Sequence, residues 1–228
     1  MDMNLHDLLG WLSSALFVTT LWGGLHQTIL LKRLAFNGGR NKFSHLSVSY
    51  FVAYFLGVFL FFAYGYLLPK SDYFLVVTRG TATLLAIFML FFLWFGKKSA
   101  LTFLTLLVSL SLLAVTFGLM VLNKELTPAQ FQYLKLSMTC VTIYGIHAYV
   151  TQIRGILADK SSQGLSKVMN FTVAMKDLSV IAYGFTYALS DSWPLIAQAV
   201  MNGSFRLTLL YLCYRYTNTA EPVATQSV

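Results

Sequence analysis

The chain has 228 residues, of which 57% are hydrophobic and only 11% are charged, and its formal net charge is +8. Because soluble domains carry about 25% charged residues, this composition excludes a water-covered globule and indicates a helical protein that crosses a membrane several times. The positive charge does not indicate nucleic-acid binding, because the basic residues collect in alternate loops between apolar segments.

Seven apolar segments follow one another along the chain, each close to the roughly 20 residues that an α-helix needs to cross a bilayer. Polar or helix-breaking stretches separate them, such as the Pro-Lys-Ser-Asp run at 69–72 and the Gly-Lys-Lys run at 96–98. The sequence therefore predicts an all-α membrane protein with seven transmembrane helices. Their approximate limits are 8–30, 46–68, 72–95, 100–122, 129–153, 167–189 and 192–215.

The flanking charges divide the loops into two sets. One set holds only two basic residues, Lys70 and Lys124. Basic loops stay in the cytoplasm, so the sequence predicts an outside N-terminus, a cytoplasmic C-terminus and a place in a cell (plasma or inner) membrane. The basic residues of the predicted cytoplasmic set are Lys32, Arg33, Arg40, Lys42, Lys97, Lys98, Arg154, Lys160, Lys167 and Arg215.

Two parts of the chain repeat each other. The Gly-Leu-His triplet at 24–26 matches Gly-Ile-His at 145–147, and an arginine follows each histidine seven residues later. The Leu-Ser pairs at 46–47 and 165–166 are each followed by a Tyr-Gly pair that begins seventeen residues after the serine. Duplication of this kind in an apolar chain is typical of transporters.

The duplication also predicts the domain organisation. A unit of three helices has an odd number of spans, so a directly fused second copy would insert upside down, and one extra helix restores its orientation. We therefore predict two parallel three-helix repeats joined by one linker helix, a 3+1+3 arrangement. The predicted units are 1–96 (first repeat), 97–124 (linker helix), 125–216 (second repeat) and 217–228 (short cytoplasmic tail).

The stretch at 151–166 reads TQIRGILADKSSQGLS. It resembles the PQ-loop repeat, in which a Pro-Gln pair near a helix end is followed by a short basic loop that ends in Gly-Leu-Ser. Gln152 matches the glutamine of that pair, and Thr151 stands at the proline position. In the first half, the repeat offset puts Leu30 and Leu31 at these two positions.

The predicted layout is also similar to that of the SWEET transporters. The resemblance implies a SWEET-like fold and the passage of a small solute. It also makes Thr151 and Gln152 candidates for a hinge or gate, with Thr151 able to bend its helix by bonding back to a carbonyl.

Charged residues inside the predicted helices indicate a polar centre, since each costs at least ~2.5–3.5 kcal/mol on insertion. On the seventh helix, Gln198, Asn202 and Arg206 recur at helical spacing and form one polar stripe. The five charges predicted at depth are Arg79, Lys135, Lys176, Asp177 and Arg206.

Two interpretations of these charges remain open. In the functional interpretation, Asp177 and Arg206 lie at similar depth on antiparallel helices and bind a solute. In the structural interpretation, Asp177 forms a buried ion pair with Arg206 or Lys176. The excess of basic over acidic groups favours a zwitterionic or anionic solute over a neutral sugar. Arg79 and Lys135 either add to this positive charge or extend outward to the lipid headgroups.

Two histidines and one tryptophan complete the candidate site. In the repeat register above, His26 and His147 are equivalent, and paired membrane histidines can carry protons in a coupled transporter, as can Asp177. The alternative is that each histidine bonds to a neighbouring helix. Trp22 lies one helical turn before His26, which makes it a candidate for lining the same cavity.

No catalytic constellation stands out, because the chain lacks a nucleophile elbow, a His-Glu-x-x-His run and a nucleotide-binding glycine loop. We therefore predict a non-enzymatic, cofactor-free and metal-free membrane transporter that works by alternating access. The alternative is a ligand-binding sorting or sensing receptor on the same fold. The expected partners are a small-molecule solute and the lipid bilayer, without nucleic acid, and a homo-oligomer stays open.

Overall fold

The computed structural model describes residues 5–37, 40–67, 73–122, 128–186 and 189–217. Within these ranges the protein is all-helical and has no strand. The predicted tail beyond residue 217 lies outside the described residues. The seven α-helices are α1 (Leu5–Asn37), α2 (Val48–Leu67), α3 (Tyr73–Lys97), α4 (Ala100–Val121), α5 (Pro128–Asp159), α6 (Lys167–Gly184) and α7 (Leu189–Thr217), with a short 3-10 helix (Arg40–Phe43) before α2.

The seven predicted helices are confirmed, but α1 and α5 extend well beyond their predicted limits. α1 continues to Asn37 and α5 to Asp159. The prediction stopped each helix where its apolar run met charged residues. Loss of hydrophobicity marks where a helix leaves an apolar environment, whereas the helix itself continues until a breaker or a turn is reached.

The described helices differ in how well their length and composition suit them to crossing a membrane. By length and composition, two of the described helical segments are long and apolar enough to cross a membrane, Val76–Lys97 and Ala100–Val121. A shorter apolar segment, Val48–Ala63, lies within the 20-residue helix α2. That the remaining helices also cross a membrane stays a prediction.

Helix α4 shows how its side chains divide between the inside and the outside of the bundle. Its buried residues include Thr102, Ser109 and Thr116, whereas its outer face exposes large apolar side chains. The hydroxyls of Ser109 and Thr116 donate to carbonyls one turn earlier in the same helix, at 2.9 and 3.0 Å. The polar atoms are thereby satisfied within the helix, and the surface that is left outward is apolar.

The helices pack around a shared interior. α3 lies between α1 and α2, while α6 packs against both α1 and α7. α5 packs mainly against α2 and touches α7 only sparsely, and α4 lies outside against α3 and α2. The loops that follow α1, α3 and α5 meet at one end of the bundle, where Phe43 of the 3-10 helix packs on Gly96. We call this end the basic end.

The contact between α1 and α6 depends on a glycine. Gly23 lies so close to α6 that a Cβ atom there would come within 2.8 Å of the Met169 Cα. Carbon atoms prefer a separation of about 3.5–4.0 Å. Alanine at this position would therefore push the two backbones apart.

We expect Gly23→Ala to lower the Tm of the purified protein, because overpacking of a tight contact costs about 1–3 kcal/mol. The control is Gly118→Ala on α4, where no atom lies within 4 Å of the added Cβ. That variant should keep or slightly raise the Tm, since alanine is the better helix former by about 1 kcal/mol. Thermal unfolding of both variants in one detergent measures the difference, and an unchanged Tm for Gly23→Ala would contradict the close helix contact.

Candidate functional site

Two buried glutamines connect the two halves of the chain at the basic end. The Gln152 amide on α5 donates to the carbonyl of His45 at 2.9 Å and accepts from the backbone N–H of Ser47 at 2.7 Å. The Gln27 amide on α1 donates to the carbonyl of Gly164 and accepts from the N–H of Ser166 at 2.6 Å. Each glutamine thus bonds to the segment that begins a helix in the other half.

We call these contacts the two glutamine bridges. They are reciprocal. Gln27, on α1, bonds to the loop after α5, and Gln152, on α5, bonds to the loop after α1. The turns that they hold are also alike, with Leu46 donating to the Phe43 carbonyl and Leu165 to the Ser162 carbonyl, both at 3.1 Å. Gly164 has a φ of +81°, a backbone conformation that glycine adopts at little cost.

The bridges correct the predicted repeat register. Gln27, not Leu31, is the counterpart of Gln152, so the structural offset on these helices is 125 residues instead of 121. In this register Leu31 matches Ile156, and both are fully buried. The predicted pairing of Leu30 and Leu31 with 151–152 was wrong by one helical turn. A shift of about 3.6 residues leaves a helix face unchanged, which explains how a chance triplet match misled the alignment.

The same correction separates the two histidines. His26 now corresponds to Thr151, and it hydrogen-bonds through Nδ1 to the Ser166 hydroxyl at 2.8 Å. His147 is exposed, with its Nε2 3.5 Å from the Thr151 hydroxyl. Their predicted equivalence was wrong, and neither of them lines the central cavity.

Candidate hinge residues lie in an unbroken helix. The Thr151 hydroxyl donates to the carbonyl of His147 at 2.8 Å, which confirms the back-bond expected of it, yet α5 is continuous from Pro128 to Asp159. Gln152 has no exposed surface and holds a bridge at the end of the cavity. Of Thr151 and Gln152, only Gln152 bonds to the other half of the chain in the described structure.

A further contact beside the bridges involves His45. Its Nε2 hydrogen-bonds to the carbonyl of Gln163, and nearby Ser44 donates its hydroxyl to Asp159 Oδ2 at 2.5 Å. Burial lowers the pKa of the His45 imidazole, an effect that its bond to Gln163 and the charge of Asp159 oppose. The folded protein therefore favours a neutral His45.

A cavity of about 200 Å³ lies between six of the seven helices. Residues from α1, α2, α3, α5, α6 and α7 line it, and none of the lining residues in the described part of the chain comes from α4. Three basic side chains and one carboxylate face it, namely Arg79, Lys176, Arg206 and Asp177. We call this space the central cavity. Gln198 and Asn202 of the predicted stripe also line it.

Arg206 is the most enclosed of the three basic side chains, with 3% of its surface exposed. Its Nη1 donates to the hydroxyl of Tyr50 and to Asn170 Oδ1, the latter at 3.1 Å. Its guanidinium carbon lies 5.3 Å from the ring centroids of Tyr50 and Tyr149 and 5.8 Å from that of Tyr54. Aromatic faces and neutral oxygens surround it, and its Nε has no hydrogen-bond partner in the described part of the chain.

Hydrogen bonds link Arg206 to both glutamine bridges. Asn170, which accepts from Arg206, donates through its amide to the carbonyl of Ser166 at 3.0 Å. Tyr50, the other acceptor, donates its backbone N–H to the hydroxyl of Ser47 at 3.4 Å. Ser47 and Ser166 are the residues whose N–H groups the glutamines bind. The guanidinium therefore connects the first turns of α2 and α6.

The carboxylate of Asp177 pairs with its neighbour. Lys176 Nζ lies 2.5 Å from Asp177 Oδ1, and the other oxygen, Oδ2, has no hydrogen-bond partner among the described residues. Of the two structural pairings left open by the sequence, the one with Lys176 is present. Arg206 forms no ion pair with any carboxylate in the described ranges, so the described lining of the cavity holds an excess of positive charge.

Arg79 enters the cavity from α3. Its guanidinium carbon lies 3.8 Å from the ring centroid of Phe17 and 4.9 Å from that of Phe61, while its buried Nε lacks a partner in the described structure. Cation–π contacts of this kind stabilise a desolvated guanidinium. The alternative, that Arg79 extends outward to headgroups, does not fit this enclosure.

Two predicted residues stand apart from the cavity. Trp22 is 65% exposed and does not line it, because it faces away from the bundle one turn before His26. In the corrected register it matches His147, which is also exposed. The side chain of Lys135 lies outside the described part of the structure.

Sequence reasoning missed the aromatic residues around Arg206, as well as Gln27. In an apolar helix, the sequence spacing of a tyrosine does not show whether its ring faces a cavity or packs against another helix. Gln27, in contrast, is an uncharged polar residue deep in an apolar run. Its position there was a detectable signal, since buried amides need partners.

Compared with known proteins, the chain matches no protein-family profile and no curated protein sequence. In the described ranges, no group of three His, Cys, Asp or Glu side chains comes together as metal ligands would.

We expect Gln27→Ala and Gln152→Ala to lower the Tm by similar amounts. Each leaves a buried backbone N–H and a carbonyl without their partner, at a cost of about 1–3 kcal/mol. The control is Gln132→Ala, on the exposed surface of α5, which should leave the Tm unchanged. Thermal unfolding of the three variants measures these differences in Tm. A loss confined to one bridge variant would contradict the equivalence of the two glutamines.

We also expect stability to fall as the pH drops below about 6.5, the ordinary pKa of histidine. His45 has a lowered pKa in the folded state, so the unfolded chain binds the proton first and acid favours unfolding. Thermal unfolding between pH 7.5 and 5 should show this loss in wild type and in the exposed-site control His147→Gln. It should shrink in His45→Gln, and an unchanged loss there would assign the effect to another group.

Proposed function

We propose that the protein is a multi-pass membrane transporter that moves a small anionic or zwitterionic metabolite by alternating access. In this proposal the seven helices cross a cell membrane in a 3+1+3 arrangement related to the PQ-loop and SWEET-like proteins. The basic end lies in the cytoplasm and the N-terminus outside. The central cavity between the repeats is the solute site.

The observation that carries the proposal is the unbalanced charge of the central cavity. Among the described residues, three basic groups and one carboxylate face a space between six helices, and the carboxylate is paired with Lys176. A buried guanidinium without an acceptor for its Nε is costly. An anion that accepts from Arg206 and Arg79 offsets that cost, which a neutral sugar does not.

The size of the cavity supports a small solute. Pockets for drug-sized ligands occupy roughly 300–1,000 Å³, whereas this one occupies about 200 Å³. A compact organic acid or amino acid fits such a space better than a disaccharide does. Asn202 and Gln198 on one side supply neutral hydrogen-bonding groups that fix the orientation of the solute.

The arrangement of helices supports the two-repeat part of the proposal. If α1, α2 and α3 are equivalent to α5, α6 and α7, the contact between α1 and α6 has a counterpart between α5 and α2. Both contacts are present. The reciprocal glutamine bridges obey the same exchange, with His26 and Gln27 at the Pro-Gln position of the first repeat. α4 has no partner in this exchange and stays outside the cavity, as a linker helix would.

Alternating access then has a physical basis in the hydrogen bonds of Arg206. In the closed basic end, Tyr50 and Asn170 accept from its guanidinium and connect it to the first turns of α2 and α6. A bound carboxylate competes for the same N–H groups with stronger, charge-assisted bonds. Solute binding thereby weakens the link between the site and the two bridges, and the basic end opens.

The positive charge also predicts exchange instead of net flux. When the cavity is empty, reorientation must carry uncompensated buried cations through an occluded state. With an anion bound, those charges are neutralised. The loaded carrier therefore reorients faster than the empty one. Labelled solute should enter vesicles fastest when the vesicles already contain unlabelled solute.

We expect Asn202→Ala and Arg206→Gln to lower counterflow of labelled solute at least tenfold in proteoliposomes. Each hydrogen bond to a charged group contributes about 1.5–3 kcal/mol, and 1.4 kcal/mol is a factor of ten. The assay first screens small carboxylates, amino acids and neutral sugars with the wild type. The matched control is Ser204→Ala, two residues from Asn202 on the exposed face of α7.

Folding is checked separately, because Arg206 also connects structural elements. Arg79→Gln, at a different part of the cavity, provides a second charge variant, and each variant is used only with a Tm close to that of the wild type. Wild-type counterflow in all three cavity variants would overturn the proposed site. Saturable binding without counterflow in the wild type would replace the transporter by the alternative receptor.

A further inference from the structure

A second space lies at the basic end, apart from the central cavity. It is a cleft of about 610 Å³ between α1, the 3-10 helix and α6. Arg33 and His26 of α1, Lys42 of the 3-10 helix and Lys167 of α6 all line it. We call it the basic cleft. Arg33, Lys42 and Lys167 lie outside the proposed solute site, and until now they have served only to orient the helices in the membrane.

The charge of the basic cleft is unbalanced. None of the described residues that line it is acidic, and within the described structure Arg33, Lys42 and Lys167 form no ion pair. Lys167 Nζ lies 4.3 Å from the ring centroid of Tyr214, which orients the ammonium without neutralising it. Basic groups from three separate elements that converge on one space form a site for an anion with several oxygens, such as a phosphate group.

The surroundings of the cleft are apolar, which distinguishes a lipid from a soluble anion. Leu30 and Leu165 belong to its lining. On α1, the exposed side chains of Trp22 and Ile29 lie on the helix face that leads to Arg33, at spacings of eleven and four residues. A soluble phosphate makes no favourable contact with such an apolar surface, whereas the acyl chains of a lipid pack on it.

The adjoining helix continues this surface. Phe171 and Met175, one and two turns beyond Lys167 on α6, are also exposed. Because α1 and α6 pack against each other, these side chains and those of α1 form an apolar track that ends at the basic groups. Cationic groups at the end of an apolar track are the arrangement that binds an acidic lipid at a membrane surface.

We propose that the basic cleft binds the phosphate headgroup of an acidic lipid. The proposal rests on the bilayer setting of the proposed function and not on transport itself. Because the cleft includes α1, the segment before α2 and the start of α6, one headgroup bridges both halves of the chain. Gly164, which holds a glutamine bridge, also lines the cleft. The bound lipid therefore stabilises the closed basic end.

The test is thermal unfolding of the purified protein in detergent micelles that contain phosphatidic acid or phosphatidylcholine. We expect phosphatidic acid to raise the Tm by about 5 °C at saturating lipid, and phosphatidylcholine to leave it unchanged. The triple variant Arg33→Gln, Lys42→Gln, Lys167→Gln should lose the shift. The single variant Arg33→Gln should show a reduced shift, which keeps the test available if the triple variant folds poorly.

The control is Lys32→Gln, Lys98→Gln, Arg154→Gln, which removes three exposed positive charges from the same end but outside the cleft. It should keep the full shift with phosphatidic acid. An equal loss in this control would show general attraction to negative charge and overturn the site. An equal shift with inorganic phosphate alone would assign the cleft to a soluble anion and overturn the lipid.

The two proposals fail separately. Absence of a lipid-dependent shift in a protein that performs counterflow overturns the lipid site and leaves transport intact. A cleft-dependent shift in a protein without counterflow supports the lipid site while the transport proposal fails.

Discussion

A buried guanidinium that has no carboxylate partner in the part of the chain that the structure describes is the constraint on which the rest of the structure depends. Removing a charge from water costs several kcal/mol, and Arg206 is 97% enclosed by protein, with 3% of its surface exposed. Three tyrosine rings and the oxygens of Tyr50 and Asn170 compensate part of that cost. The helices that supply those groups must stay in register, so the position of Arg206 fixes α2, α5, α6 and α7 relative to one another.

The glutamine bridges extend this constraint to the basic end. The first N–H groups of a helix have no partner within the helix, and here an amide from the opposite half supplies one for Ser47 and another for Ser166. Helix initiation in each half therefore depends on the other half. The end of the bundle with these bridges is closely bonded, whereas α5 and α7 touch only sparsely.

Much of the fold was predictable, and the residues show why. Runs of apolar residues between polar loops predicted all seven helices, since hydrophobicity is a local property of the chain. The stripe of Gln198, Asn202 and Arg206 reached the cavity, because helical spacing fixes which side chains share a face. The exposed position of Trp22 was not predictable in this way. A helix face is defined by the sequence, but the direction in which it points is decided by its neighbours.

The sequence by itself determined that this protein is all-helical and that its interior keeps excess positive charge. The tertiary structure decided which glutamine meets which turn, that Lys176 instead of Arg206 pairs with Asp177, and which aromatic rings enclose the guanidinium. The physical reason is that spacing along a helix repeats every 3.6 residues and leaves a one-turn ambiguity. Only contacts between distant segments, made in three dimensions, remove it.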